Sequence, residues 1–148
     1  MAIASCLVDT NILLRITRRA DPHHKTIDAA LSRLAGEGTI LCYTHQNIAE
    51  FWNTMTRPLA RNGLGLSVDE AEREVLVLEQ GMRLLPDSEA VYREWRRILV
   101  ERQVSGVQVH DARLAAAMYV HQVHHILTLN VSDFARFERL TALHPENV

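Results

Sequence analysis

Two kinds of apolar pattern alternate along this chain. Short, wholly apolar runs suit strands buried on both faces, and longer segments with apolar residues every three or four positions suit amphipathic helices. Ile3–Val8 is the first such run, closed by Asp9, and Ile12–Ile16 continues as helix. Asp21-Pro22 predicts a helix start, with Asp21 as the cap and Pro22 at the first helical position. That helix carries Ile27, Ala30, Leu31 and Leu34 and stops near Gly36. Thr39–Tyr43 reads as a second strand. Ile48, Phe51, Trp52 and Met55 form the stripe of the next helix, which Pro58 limits, and Arg61–Gly65 is a loop. Ser67 with Glu70 makes a capping box for a helix reaching about Gln80.

Met82–Leu85 suits a short strand, and Ser88–Arg102 a helix with Val91, Trp95, Ile98 and Leu99 on one face. Ser105-Gly106 breaks the chain. A further helix is expected from near His110 to His121, then a third clear strand at His125–Leu129 and another at Ala142–His144. Strands alternating with helices from end to end predict an α/β fold, a parallel sheet wrapped by helices on both faces. No repeat or linker interrupts the pattern, so residues 1–148 are read as one domain.

Composition narrows the function. The formal charge of −2 does not mark a nucleic-acid binder, so any basic surface is local. Lys25 is the sole lysine, and arginine supplies the remaining positive charge. Cys6 and Cys42 sit inside strand-like runs and are expected as buried free thiols. No run approaches the ~20 apolar residues of a membrane span, and no basic-then-apolar leader opens the chain. A cytoplasmic protein is the expectation.

The chemistry lies in acidic positions that are far apart in sequence. Asp9 ends the first strand, and Asn130 and Asp133 follow the strand at 125–129. Ligands of parallel α/β sheets bind beyond the carboxyl ends of the strands. Glu50 lies about 150° from the centre of its helix's apolar stripe at 100° per residue, on a polar face shared with Gln46, Asn53 and Arg57. Asp111 sits at the edge of its stripe near a helix start. Singly, each has a plain structural reading: Asp9 and Asp133 as caps, Glu50 as a solvated helix residue, Asp111 as a first-turn charge complementing the helix dipole. Brought together, they form a self-repelling cluster that calls for a divalent cation, and hard oxygen ligands favour Mg²⁺ or Mn²⁺.

The wording around these positions resembles the PIN-domain family. Asp9-Thr10-Asn11 after an apolar run, Ile48-Ala49-Glu50, His110-Asp111-Ala112 with Leu114-Ala115-Ala116-Ala117, and Thr128-Leu129-Asn130-Val131-Ser132-Asp133-Phe134 occur in that family's order over nearly the whole chain. The likeness is greatest to VapC-type toxins of toxin–antitoxin pairs. It implies a three-layer α/β/α fold and a Mg²⁺- or Mn²⁺-dependent ribonuclease. Position by position it assigns Asp9, Glu50 and Asp111 as the near-invariant acids. Thr10, Asn11 and Thr128 become supporting residues that orient them. The fourth acidic position departs from the pattern: Asn130 stands there, and either Asp133 supplies the carboxylate or Asn130 serves as a neutral ligand. A homodimer and a small antitoxin partner are also implied. The helix at 67–80 adds to the dimer reading, since Val68, Val75, Leu76, Val77 and Leu78 spread around more of its circumference than one core face needs.

An acidic site repels RNA, so arginines must hold the backbone. Arg15, Arg18 and Arg19 form one candidate group, Arg57 and Arg61 another. Leu13, Leu14 and Trp52 are candidates to receive the antitoxin's apolar side. The histidine doublets at 23–24 and 124–125 lack a third zinc ligand at a fitting spacing. A receiver-type phosphoacceptor domain needs a late lysine, and a haloacid-dehalogenase-type phosphatase needs an aspartate where Asn11 stands. The remaining alternative is a catalytically silent PIN domain acting as an interaction module, which Asn130 favours.

Overall fold

The structure, a computed structural model, describes residues 2–148. In chain order the described residues form β1 (Ser5–Val8), α1 (Thr10–Ile16), α2 (His24–Gly36), β2 (Ile40–Thr44), α3 (His45–Thr56), α4 (Val68–Gly81), β3 (Arg83–Leu85), α5 (Glu89–Glu101), α6 (Gln108–Val120), β4 (His125–Leu127) and β5 (Thr141–Leu143). Short 3₁₀ turns occupy Leu59–Arg61, Val131–Phe134 and Pro145–Asn147. All strand pairings are parallel, in the order β3-β2-β1-β4-β5. Helices cover both faces, giving the three layers expected.

The period of two along a strand explains the wholly apolar runs. Leu7 on β1 faces one core with Cys42, Ile126 and the α5–α6 residues Val91, Ile98 and Ala115. Its neighbours Cys6 and Val8 face the other core, with Ile12, Ile27, Phe51, Val75 and Leu127 from α1 to α4 and β4. β1 is the central strand, so both of its faces are covered, and Cys6, Leu7 and Val8 are 0% exposed. Cys6 and Cys42 are buried free thiols, and burial pushes the Cys6 thiol up to about 12. No helix among the described residues is long and apolar enough to cross a membrane.

Several boundaries differ from the pattern-based reading: β1 begins at Ser5 rather than Ile3, β2 runs one residue later than expected and β5 one residue earlier. Asp21 does not cap a helix at Pro22, because α2 begins at His24. The Asp21 carboxylate is taken by Arg15 at 2.9 Å and by the His23 amide at 2.8 Å, which closes a turn ahead of the helix. α6 starts at Gln108, ahead of the expected His110; Gly106, at φ +64°, ends the loop and lets the helix resume at once. β4 ends at Leu127, short of Leu129. Beyond it the Leu129 amide leaves the ladder and donates to the Asn11 side chain at 3.2 Å. That departure belongs to the site.

The sheet changes winding direction at β1, where β2 and β3 lie to one side and β4 and β5 to the other. Beyond the carboxyl ends of β1 and β4 the connections diverge and leave a crevice. Asp9 and Thr128 are the first residues past those two strands.

Candidate functional site

Asp9 stands at the centre of this crevice. Its amide extends the sheet by donating to the Leu127 carbonyl at 3.0 Å. Its side chain caps α1, with Oδ1 accepting from the Thr10 amide at 2.8 Å. Oδ2 accepts from the Thr128 hydroxyl at 2.8 Å and from Asn11 Nδ2 at 3.3 Å. Asn11 also donates to Thr128 Oγ1 at 3.3 Å, and the Asn130 amide donates to the same oxygen at 3.0 Å. Asp9 is thus fixed in orientation at 9% exposure. Burial raises its pKa against the lowering influence of Thr128 and Thr10, and the charges of Glu50 and Asp133 raise it further.

The second acid arrives on α3, whose start is locked to α1. Thr44 and Asn47 form a reciprocal cap, and Asn47 Nδ2 donates to Thr10 Oγ1 at 3.1 Å. One turn before Glu50, Gln46 Nε2 donates to Glu50 Oε1 and to the His110 carbonyl, both at 2.9 Å. Both partners are acceptors, so the amide nitrogen must face them, and the donor capacity of Nε2 is used up. Gln46 therefore ties the Glu50 carboxylate to the main chain immediately before Asp111. Its own Oε1 is buried with no partner.

Asp111 projects from the first turn of α6 and is half-buried. Its pKa rises from 3.8 to about 6, chiefly through desolvation, then through the charges of Asp133, Asp9 and Glu50, with His110 opposing. Asp133, on the 3₁₀ turn after β4, is exposed yet close enough to push up both Asp9 and Asp111. Asn130 is exposed and meets the site through its amide. The fold therefore gathers all four acids into one electrostatic neighbourhood. For scale, two carboxylates ~4 Å apart repel by about 4 kcal/mol at an effective dielectric near 20.

The donors suit a hard, hydrated dication. Among the described residues no three His, Cys, Asp or Glu side chains stand close enough to clasp an ion between them. Mg²⁺ characteristically keeps several waters and takes only one or two carboxylates directly. Asp9, Glu50, Asp111 and Asp133 present only hard oxygen donors, the kind such a cation takes.

The arginines divide. Arg15 and Arg18 line a cavity of about 200 Å³ that begins at Asn11 and includes Leu14 and Leu64. Arg19 and Arg61 are exposed. Arg57 turns back on its own loop and donates to the Asn62 carbonyl at 3.1 Å. That loop is tight: a Cβ on Gly63 would lie 1.9 Å from the Arg57 carbonyl oxygen. Gln46 and Asn47 are the site-building residues that motif reading did not single out. Their signals were local ones, an i,i+4 pair with Glu50 and the third position after a threonine cap.

Comparison with known proteins follows this geometry. A family model described as PIN domain matches residues 6–140. Among solved structures, VapBC2 from Rickettsia felis, bound to a DNA fragment from its promoter, matches with a TM-score of 0.67 at 13% identity, covering 95% of this chain and 98% of that one. FitAcB from Neisseria gonorrhoeae matches with a TM-score of 0.66 at 20% identity, covering 97% of this chain and 99% of that one. VapC20 from Mycobacterium tuberculosis, a toxin that cleaves the sarcin–ricin loop, matches with a TM-score of 0.62 at 16% identity, covering 82% and 86%. At these identities the likeness concerns the fold. Comparison with curated proteins finds no match.

The raised Asp111 pKa makes a prediction about stability. Between its ordinary value of 3.8 and about 6, the folded protein holds a proton that the unfolded chain releases. Its contribution to stability is therefore present below that window and lost as pH rises through it. In EDTA, Asp111→Asn should melt above the unsubstituted protein at about pH 7.5 and level with it near pH 4, since the amide carries no charge to lose. Thermal unfolding across that range checks this; a variant less stable at the higher pH would refute it.

Proposed function

This chain belongs to the PIN-domain family, and we propose that it is a Mg²⁺- or Mn²⁺-dependent endoribonuclease, the toxin of a toxin–antitoxin pair, acting on RNA in the cytoplasm. The observation that carries the reading is the convergence of Asp9, Glu50, Asp111 and Asp133 at the crevice between β1 and β4, with Asp9 buried among like charges. The sarcin–ricin loop cleavage ascribed to VapC20 supports RNA as the substrate class.

Asp9, Glu50, Asp111 and Asp133 would hold the cation, directly or through its waters. When bound, the cation supplies an acidified water and neutralises charge on the phosphate. Thr128, Asn11 and Thr10 keep both Asp9 oxygens oriented. Gln46 occupies one Glu50 oxygen and leaves the other free. Arg18, beside Asn11, would draw the RNA backbone toward the acids, with Arg15 held by Asp21 behind it and Arg19 and Arg61 exposed. Asp9→Asn, Glu50→Gln and Asp111→Asn should each abolish cleavage while leaving the fold intact. A gel assay of labelled RNA in Mn²⁺ reads this, and unchanged cleavage by Asp9→Asn would end the mechanism.

The silent-module reading has its own support: the fourth position is Asn130. Millimolar-range Mn²⁺ binding separates the two, since a silent module has none.

The antitoxin partner follows from the same reading, supported by the toxin–antitoxin complexes among the structural matches. The cavity at Asn11 shares Arg18 and Leu64 with a second cavity of about 260 Å³ that includes Leu59 and Leu66. Together they make a groove leading away from the acids. Leu13, expected on this surface, is fully buried, and Trp52 packs with the core; Leu14, Leu59, Leu64 and Leu66 offer the apolar surface instead. A basic side chain from the antitoxin would compete with the cation for the acids. Leu59 is 76% exposed, so Leu59→Asp should weaken capture of the neighbouring reading frame's product without disturbing the fold. Co-purification decides this, and an unaltered complex would move the tail elsewhere.

The dimer is proposed through α4. Val75 and Leu78 are committed to the core, whereas Val68, Leu76 and Val77 are exposed. Light scattering should give the mass of two chains at micromolar concentration, reverting to one in Val77→Asp; a monomer throughout would refute it.

A further inference from the structure

A third cavity lies where α5 and the turn before it meet α6. It measures about 260 Å³ and is lined by Asp87, Ser88, Val91, Tyr92, Trp95 and Arg113. Sites for drug-sized molecules run to roughly 300–1,000 Å³, so this one suits a single planar ring system. Two aromatic rings form its wall: Tyr92 and Trp95 meet edge-on, with centroids 6.3 Å apart and planes at 65°. Tyr92 is 51% exposed, an aromatic face left open to solvent.

The charge around the cavity favours an anionic chain. Arg113 is paired with Asp87 at 2.8 Å, and Arg93 with Glu89. Arg96 has no carboxylate partner among the described residues; it lies over the Tyr92 ring at 5.8 Å and donates to the Tyr92 hydroxyl at 2.8 Å. A guanidinium without a carboxylate partner thus covers part of the exposed Tyr92 ring.

The cavity is also fixed to the segment that carries Asp111. Trp95 Nε1 donates to the Val109 carbonyl at 2.8 Å. Arg113, two residues past Asp111, reaches Asp87, and His45, next to Gln46, lies 3.6 Å from the same carboxylate.

We propose that this cavity is a nucleobase subsite, in which a base near the cleaved bond stacks on the Tyr92 ring and meets Trp95 at its edge while Arg96 meets the adjoining phosphate. The proposal rests on the ribonuclease reading. It gives the enzyme a means of selecting unpaired RNA, because only a base free of its own stack can enter.

Trp95 also packs on the core, so the exposed Tyr92 and Arg96 are the residues to change. Binding of a fluorescein-labelled single-stranded oligoribonucleotide to the full-length protein is measured by anisotropy in EDTA, where cleavage stops. Tyr92→Ala should weaken binding about tenfold, the size expected of one stacked base, and raise KM for cleavage in Mn²⁺. Tyr92→Phe keeps the ring and should bind RNA like the unsubstituted protein, which a role in folding alone would not require. Arg96→Ala should weaken binding and flatten its salt dependence. Unchanged RNA affinity in both alanine variants, with the parent protein still cutting RNA, overturns the subsite and leaves the nuclease standing. If the parent neither binds nor cuts RNA, both readings fall. If Tyr92→Ala spares RNA binding but breaks self-association or the antitoxin complex, the surface is a protein interface and the subsite is overturned.

Discussion

A carboxylate buried among other carboxylates governs this molecule. Burying a charge is costly unless it is hydrogen-bonded and compensated, and Asp9 is held by Thr128, Asn11 and the Thr10 amide, with Glu50 and Asp133 adding repulsion. Much of the surrounding architecture holds that arrangement in place. β1 and β4 adjoin so that Thr128 falls beside Asp9. Asn47 joins α3 to α1 through Thr10, and Gln46 joins α3 to the start of α6. Each bond fixes an element that delivers an acid. The proposed cation would relieve the repulsion they contain, so that affinity for metal and the cost of assembling the site would have one origin.

The fold was legible because burial imposes its period on the residues. Cys6, Leu7 and Val8 had to be apolar without alternation, since β1 is covered on both faces, and Ser67 with Glu70 announced its helix by a cap that the structure contains. What escaped were choices made by tertiary partners. Asp21 looked like a cap, but Arg15 and the His23 amide claim its carboxylate. Leu129 looked like strand, but its amide turns to Asn11 across the crevice. The acids themselves were legible as a resemblance in wording. Their mutual proximity was not, because it depends on helix crossings that no local pattern records. The same holds for Gln46, whose bond to the His110 carbonyl spans sixty-four residues.

The surfaces around the crevice divide the proposed work. On the α1 side, Arg15 and Arg18 border a groove that becomes apolar toward Leu59 and Leu66. On the α5–α6 side, aromatic rings replace aliphatic residues, and Arg96 stands uncompensated. An aliphatic groove suits a folded or folding peptide, whereas aromatic faces suit bases. Substrate backbone and inhibitor would then meet on the α1 side, at Arg18 and the acids, and only the flanking base would lie on the α5–α6 side.

The central claim is that the four acids form one cation site. Titration calorimetry with Mn²⁺ near neutral pH tests it most directly. The account predicts saturable binding in the millimolar range or tighter, weakened more by Asp133→Asn than by Asn130→Ala, because only Asp133 brings charge. Absence of Mn²⁺ binding by the folded, unsubstituted protein would contradict it.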